Sequence, residues 1–114
     1  MTQKQARKTE QILKSRGVYK PYVSMDGAVL FVESYPLTAV VTSGAVDPEM
    51  GPFQCVKITD CSLPRIGQDA VVSTDRVFLG QDLLGRVAAL LASFHTAAHS
   101  RAEQQDYDSI RRNS

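Results

Sequence analysis

Polar and apolar positions in the first seventeen residues, Met1 to Gly17, separate with a helical period. At about 100° per residue, Lys14, Arg7, Gln11, Lys4, Ser15 and Lys8 fall within one arc of roughly 120°. Ile12, Thr9, Leu13 and Ala6 fall on the opposite side. Thr2 with Gln5 three residues later matches a capping box, and Gly17 stands where a left-handed C-terminal cap belongs. The pattern predicts a short, sharply bounded helix with one basic face.

Beyond Gly17 the period changes from helical to extended. Val18 to Met25 and Ala28 to Ser34 flank Asp26-Gly27, a strong hairpin signal. A two-residue loop at Asp26-Gly27 sets Met25 opposite Ala28, Val23 opposite Leu30, Tyr22 opposite Phe31 and Lys20 opposite Glu33. Val23, Met25, Leu30 and Val32 then form a core face, and Tyr22, Phe31, Lys20 and Glu33 a semi-polar one. Pro21 cannot donate to a ladder, which predicts an edge position for the first strand.

Leu37 to Ser43 predicts a third strand, Phe53 to Thr59 a fourth and Asp69 to Ser73 a short fifth. Gly44 to Pro52 carries the turn markers Asp47-Pro48 and Gly51-Pro52, and Ser62 to Gln68 carries Pro64 and Gly67. Arg76 to Leu79 fits either the sheet or the start of the next helix.

A long helix begins between Asp75 and Asp82 and runs to about His99. Leu83, Leu84, Val87, Leu90, Leu91, Phe94, Ala97 and Ala98 make its apolar stripe. The other face is small and uncharged: Gly85, Ala88, Ala89, Ala92, Ser93 and Thr96. Arg86 is the only formal charge between Leu83 and Ser100. Two non-polar sides imply two covers, the second being another copy of the helix, a partner protein or the N-terminal helix. Gly85, Ala88, Ala89, Ala92 and Thr96 are expected to meet a second copy of the chain or another protein. Ser100 to Ser114 is polar and fits a frayed helix or a disordered tail. The expected fold is α+β: an N-terminal helix, a four- to five-stranded antiparallel sheet and a long C-terminal helix packed on it, in one domain over residues 1–99.

With 114 residues, 43% of them hydrophobic and 22% charged, the chain has ordinary globular composition. Its basic start lacks the apolar core of a secretory signal, and no apolar run reaches the ~18 residues of a membrane-spanning helix. Two cysteines do not make a disulfide framework. A soluble cytoplasmic protein with reduced thiols is expected. The net charge of +1 conceals an asymmetry, because Lys4, Arg7, Lys8, Lys14, Arg16 and Lys20 face only Glu10 in the first twenty residues. The middle of the chain is mildly acidic.

Three constellations carry candidate chemistry. Lys4, Arg7, Lys8 and Lys14 have the spacing to contact phosphates, with Tyr19 and Tyr22 beyond them to stack on bases. The same face suits docking to an acidic surface of a partner or sister subunit, or plain solvation. No helix-turn-helix companion accompanies it. His95 and His99, four apart on a helix, and Cys55 and Cys61 are ligand types for zinc. Their C-x5-C spacing and the separation of Cys61 from His95 argue against a metal centre. A cysteine–histidine nucleophile pair has no supporting motif, and no phosphate-binding loop, G-x-G-x-x-G or G-x-S-x-G is present. No cofactor, small-molecule substrate or catalysis is expected. The sequence favours a small non-catalytic binding or regulatory protein (an adaptor, inhibitor or assembly factor) working through protein contacts as a homodimer. The alternative is a nucleic-acid-binding dimer.

Overall fold

A computed structural model describes residues 1–63 and 70–112 of the chain. In order they form α1 (Gln3–Ser15), β1 (Tyr22–Asp26), β2 (Val29–Ser34), β3 (Leu37–Asp47), β4 (Gly51–Asp60), β5 (Ala70–Phe78) and α2 (Leu83–Arg112). The five strands make one antiparallel meander in sequence order, so the fold is α+β. The β1 and β5 strands are its edges. Pro64, Gly67 and the start of the fifth strand at Asp69, all anticipated from turn signals, lie outside the described residues.

The α1 helix has the boundaries its sequence predicts. Thr2 Oγ1 accepts the Gln5 amide at 3.2 Å, and Gln5 Oε1 accepts the Thr2 amide at 2.8 Å. At the other end Gly17 has φ +96°, and its amide reaches the Lys14 carbonyl at 3.1 Å. The Val18 amide reaches back to the Leu13 carbonyl at 3.1 Å, which completes a Schellman motif. Leu13 and Val18 are both buried in the core.

The first hairpin pairs two residues away from the expected register. Asp26 lies opposite Val29, Met25 opposite Leu30, Val23 opposite Val32 and Tyr22 opposite Glu33. The loop is therefore Gly27-Ala28, not Asp26-Gly27. Gly27 alone takes a positive φ, +59°, as the first position of a type II′ turn requires. Asp26 is spared the left-handed region and joins the ladder. A slip of two preserves the alternation, so Val23, Leu30 and Val32 face the core as expected, whereas Met25, expected on the same face, is exposed beside the turn.

The next two strands run further than their turn markers suggest. Gly44 sits within β3, where Ser43 and Gly44 together oppose Gln54 as a β-bulge. Gly44 takes φ +97° there, and Gln54 Nε2 donates to Ser43 Oγ at 3.1 Å. The turn itself lies between Asp47 and Gly51. Asp47 Oδ1 accepts the Glu49 and Met50 amides at 2.9 and 3.0 Å. Arg76 to Phe78 extends the sheet.

Both helices lie on one sheet face, α1 against β1 and α2 across β3, β4 and β5. The core between them contains Leu13, Val23, Val32, Leu37, Ala39, Val41, Val56, Ile58, Val87 and Leu91. Among the described residues no helix covers the opposite face, where Phe31, Val40, Phe53, Cys55 and Phe78 are half-buried. The α2 helix continues well past His99. Ala98 and Ala102 are buried, and Arg101 Nη2 donates to Asp60 Oδ2 at 2.6 Å, which holds the polar end of the helix on the sheet. No described helix is long and apolar enough to cross a membrane.

Candidate partner-binding surface

The basic face of α1 is divided between internal ties and free lysines. Arg7 Nη2 donates to the Val23 carbonyl at 3.3 Å, pairs with Glu10 at 3.0 Å, and its guanidinium lies 4.9 Å from the Tyr22 ring centroid. Glu10 accepts the Val23 amide at 2.9 Å. Arg16 pairs with Asp82 at 2.7 Å and fastens α1 to the start of α2. Lys4, Lys8 and Lys14 are exposed. Tyr22 lies on the edge strand beside Arg7, whereas Tyr19 packs against α2 through His95 at 4.8 Å. Tyr19 and Tyr22 are thus not one stacking platform.

The small-residue face of α2 is partly solvent-facing and partly internal. Ala89, Ala92 and Thr96 are exposed in a stripe with Ser93. Ala88 is buried in the core with Leu91. Gly85 lies under the Arg16–Asp82 pair, and a Cβ there would stand 2.5 Å from Asp82 Oδ2 and 3.0 Å from Arg16 Nη1. Asp82 is also the N-terminal cap of α2, since its Oδ1 accepts the Gly85 amide at 3.0 Å. That bond and the Arg16 pair hold its carboxyl below the usual carboxylate range.

The thiols and imidazoles do not converge. Cys55 points to the helix-free face of the sheet, since its neighbour Val56 is buried on the other. His95 and His99 stand on α2, across the sheet from Cys55. The Cys61 amide donates to the Pro36 carbonyl at the end of β4. Among the described residues no group of three histidine, cysteine or acidic side chains is arranged to hold a metal. Asp60, beside Cys61, is fully buried and occupied: Ser62 donates to it through its amide at 2.8 Å and its hydroxyl at 2.5 Å, and Arg101 binds its other oxygen. Burial raises the carboxyl pKa, but these bonds outweigh it and hold the group below its ordinary value.

A concave, largely apolar surface lies at the tip of the β3–β4 hairpin. These strands outrun the rest of the sheet, and their last pairs, Val46 with Pro52 and Asp47 with Gly51, have no neighbour on β5. Here Val46, Pro52 and Phe53 of the hairpin meet Phe78 of β5 and Leu79 of the following turn around a groove of about 300 Å³. Its rim is open: Leu79 is 85% exposed and Val46 68%. Its floor is rigid. The Phe53 and Phe78 rings are 5.5 Å apart, and the Arg76 guanidinium lies 4.8 Å from the Phe53 centroid. Arg76 is oriented by Asp47 at 3.5 Å. The Leu79 amide donates to the Pro52 carbonyl at 3.3 Å, and Gln81 Oε1 accepts the Phe78 amide at 3.0 Å.

The groove is not legible in the sequence, because its residues are split between a segment that reads as a loop (Val46, Pro52), the start of the fourth strand (Phe53) and a segment that fits sheet or helix (Phe78, Leu79). The available signal is the large apolar side chains beside turn residues: Val46 before Asp47-Pro48 and Leu79 before Gly80. Searches against family models, curated proteins and solved structures find no match to this chain.

Proposed function

We propose that this chain is a small non-catalytic binding protein that captures a partner protein through the groove at the β3–β4 tip. The observation that carries the reading is the exposed apolar pair Val46 and Leu79 on a groove that Phe53 and Phe78 also line. Large apolar side chains exposed together, rather than scattered, characterise protein contact sites. The groove volume of about 300 Å³ suits one or two apolar side chains of a partner. Gln54 and Gln81 on its lining supply polar groups to orient them.

The same reading places a second copy of the chain on α2. Ala89, Ala92 and Thr96 offer a flat uncharged stripe, so two helices can approach closely there. A cytoplasmic setting fits Cys55 and Cys61, neither of which is in a disulfide. Sedimentation velocity at micromolar concentration tests the dimer: the wild type should sediment as a dimer and Ala92→Glu as a folded monomer. A wild-type monomer overturns the dimer and leaves the groove reading to its own test.

Nucleic-acid binding is the competing reading and would rest on Lys4, Lys8 and Lys14. The engagement of Arg7 by Val23, Glu10 and Tyr22 weighs against it.

A further inference from the structure

Three rings join the α1–β1 link to α2. Tyr19 of the link lies 4.8 Å from His95 and 5.4 Å from His99, and the two imidazoles are 5.2 Å apart. The Tyr19 carbonyl accepts Ser34 Oγ at 2.5 Å, which fixes the link to β2. The next residue, Lys20, has φ +42°, a left-handed conformation that costs energy in a residue with a Cβ. Its ammonium lies 5.3 Å from the Tyr19 centroid. His95 Nδ1 is buried without a hydrogen-bond partner. Charged and titratable groups at the stack include Tyr19 and Lys20 on the link and His99 and Glu103 on α2, and β2 contributes the Ser34 hydroxyl. Glu103 is engaged by His99 Nδ1 at 3.3 Å.

We propose that this stack is a proton-operated latch: neutral His95 holds the α1–β1 link against α2, and protonation of His95 releases the link. A proton on His95 adds a cation next to His99. The left-handed Lys20 backbone favours release, because an opened link can relax it.

The direction with pH follows from burial and the neighbouring His99, which lower the His95 pKa from its ordinary 6.5. The released state takes up the proton at the ordinary value and the latched state only below it. The latch is therefore intact above about pH 6.5 and weakens as pH falls from there through the depressed native value. Asp60, whose carboxyl is held below its ordinary value, stays ionised across that window. The Arg101–Asp60 tie keeps the end of α2 on β4 while the link opens.

Amide hydrogen exchange of the full chain at pH 7.5 and 5.5, corrected for the intrinsic rate, tests this directly. Residues 17–22 should lose protection about three- to tenfold at the lower pH, while residues 56–58 of β4 keep theirs. His95→Phe retains a ring without a titrating nitrogen and should remove the difference. Proton NMR of the wild type gives a readout that needs no variant, with His95 expected to titrate below its ordinary 6.5. Equal protection of the link at both pH values, an undiminished difference in His95→Phe, or a His95 titration at or above 6.5 would each overturn the latch.

Discussion

Glu10 of α1 accepts the backbone amide of Val23 on edge strand β1 at 2.9 Å, while Arg7 donates to the same residue's carbonyl. One turn of helix thereby occupies both outward-facing backbone groups of Val23. An open edge strand is a template for pairing with another chain, and this edge is closed at its centre. One of the four cations on what first looks like an anion-binding face, Arg7, thus has an internal task.

Glu10→Ala should destabilise the fold by about 1–2 kcal/mol, the cost of one buried amide left without its charged acceptor. It should also increase association through the uncovered edge. Urea denaturation measures the first effect and light scattering during mild heating the second. Unchanged stability together with unchanged scattering would show that the edge needs no such closure.

Arg101→Ala should cost about 2 kcal/mol, because it strips the fully buried Asp60 carboxylate of its cation. The partial exposure of Arg101 keeps the cost at the low end. The pH dependence has a definite sign. The native carboxyl of Asp60 sits below its ordinary 3.8, so its stabilisation is complete above about pH 4 and is lost as pH falls through the native value. Thermal melts between pH 5 and 2.5 should show a smaller acid-dependent loss in Arg101→Ala than in the wild type.

Gly17→Ala should cost about 1 kcal/mol, since φ +96° places a Cβ in a disfavoured region although no atom lies near it. Thr2→Ala should cost a similar ~1 kcal/mol through the lost cap. Chemical denaturation of each single variant checks both values, and their sum should hold in the double variant because the two ends are far apart.

These two caps also show what the sequence disclosed. A capping box and a C-terminal glycine act through bonds three to five residues apart, so Thr2, Gln5 and Gly17 were legible without tertiary context. Alternation made the core faces of the strands equally legible. Turn identity was less so: Asp26-Gly27 signalled a hairpin, but a single positive φ on Gly27 was enough to form the turn one position later. Gly44 signalled a loop yet forms a bulge, because a left-handed glycine serves both structures. The candidate site was mostly hidden. Val46, Phe78 and Leu79 meet only through the long β3–β4–β5 pairing, and Arg7 meets Val23 only through tertiary packing. The nearness of His95 and His99 was visible from their spacing. Tyr19, which completes their stack, came from a segment with no local link to them.

Replacing Lys4, Lys8 and Lys14 together with Glu should leave fold and partner capture intact, because all three side chains are exposed. The wild type should show no binding to single-stranded or duplex nucleic acid that falls steeply between about 50 and 200 mM salt. Fluorescence anisotropy across that range measures it. Steep salt-dependent binding abolished by the triple change would establish the nucleic-acid reading instead.

The most direct measurement of the central claim is photo-crosslinking in the native host, with a benzophenone side chain at position 79 and, separately, at position 57 on the helix-free sheet face. The groove reading predicts a nuclease-resistant protein adduct of defined mass from position 79, none from position 57, and loss of the adduct when Val46→Asp is added. An adduct from position 57 alone, or one from position 79 that persists with Val46→Asp, would contradict it.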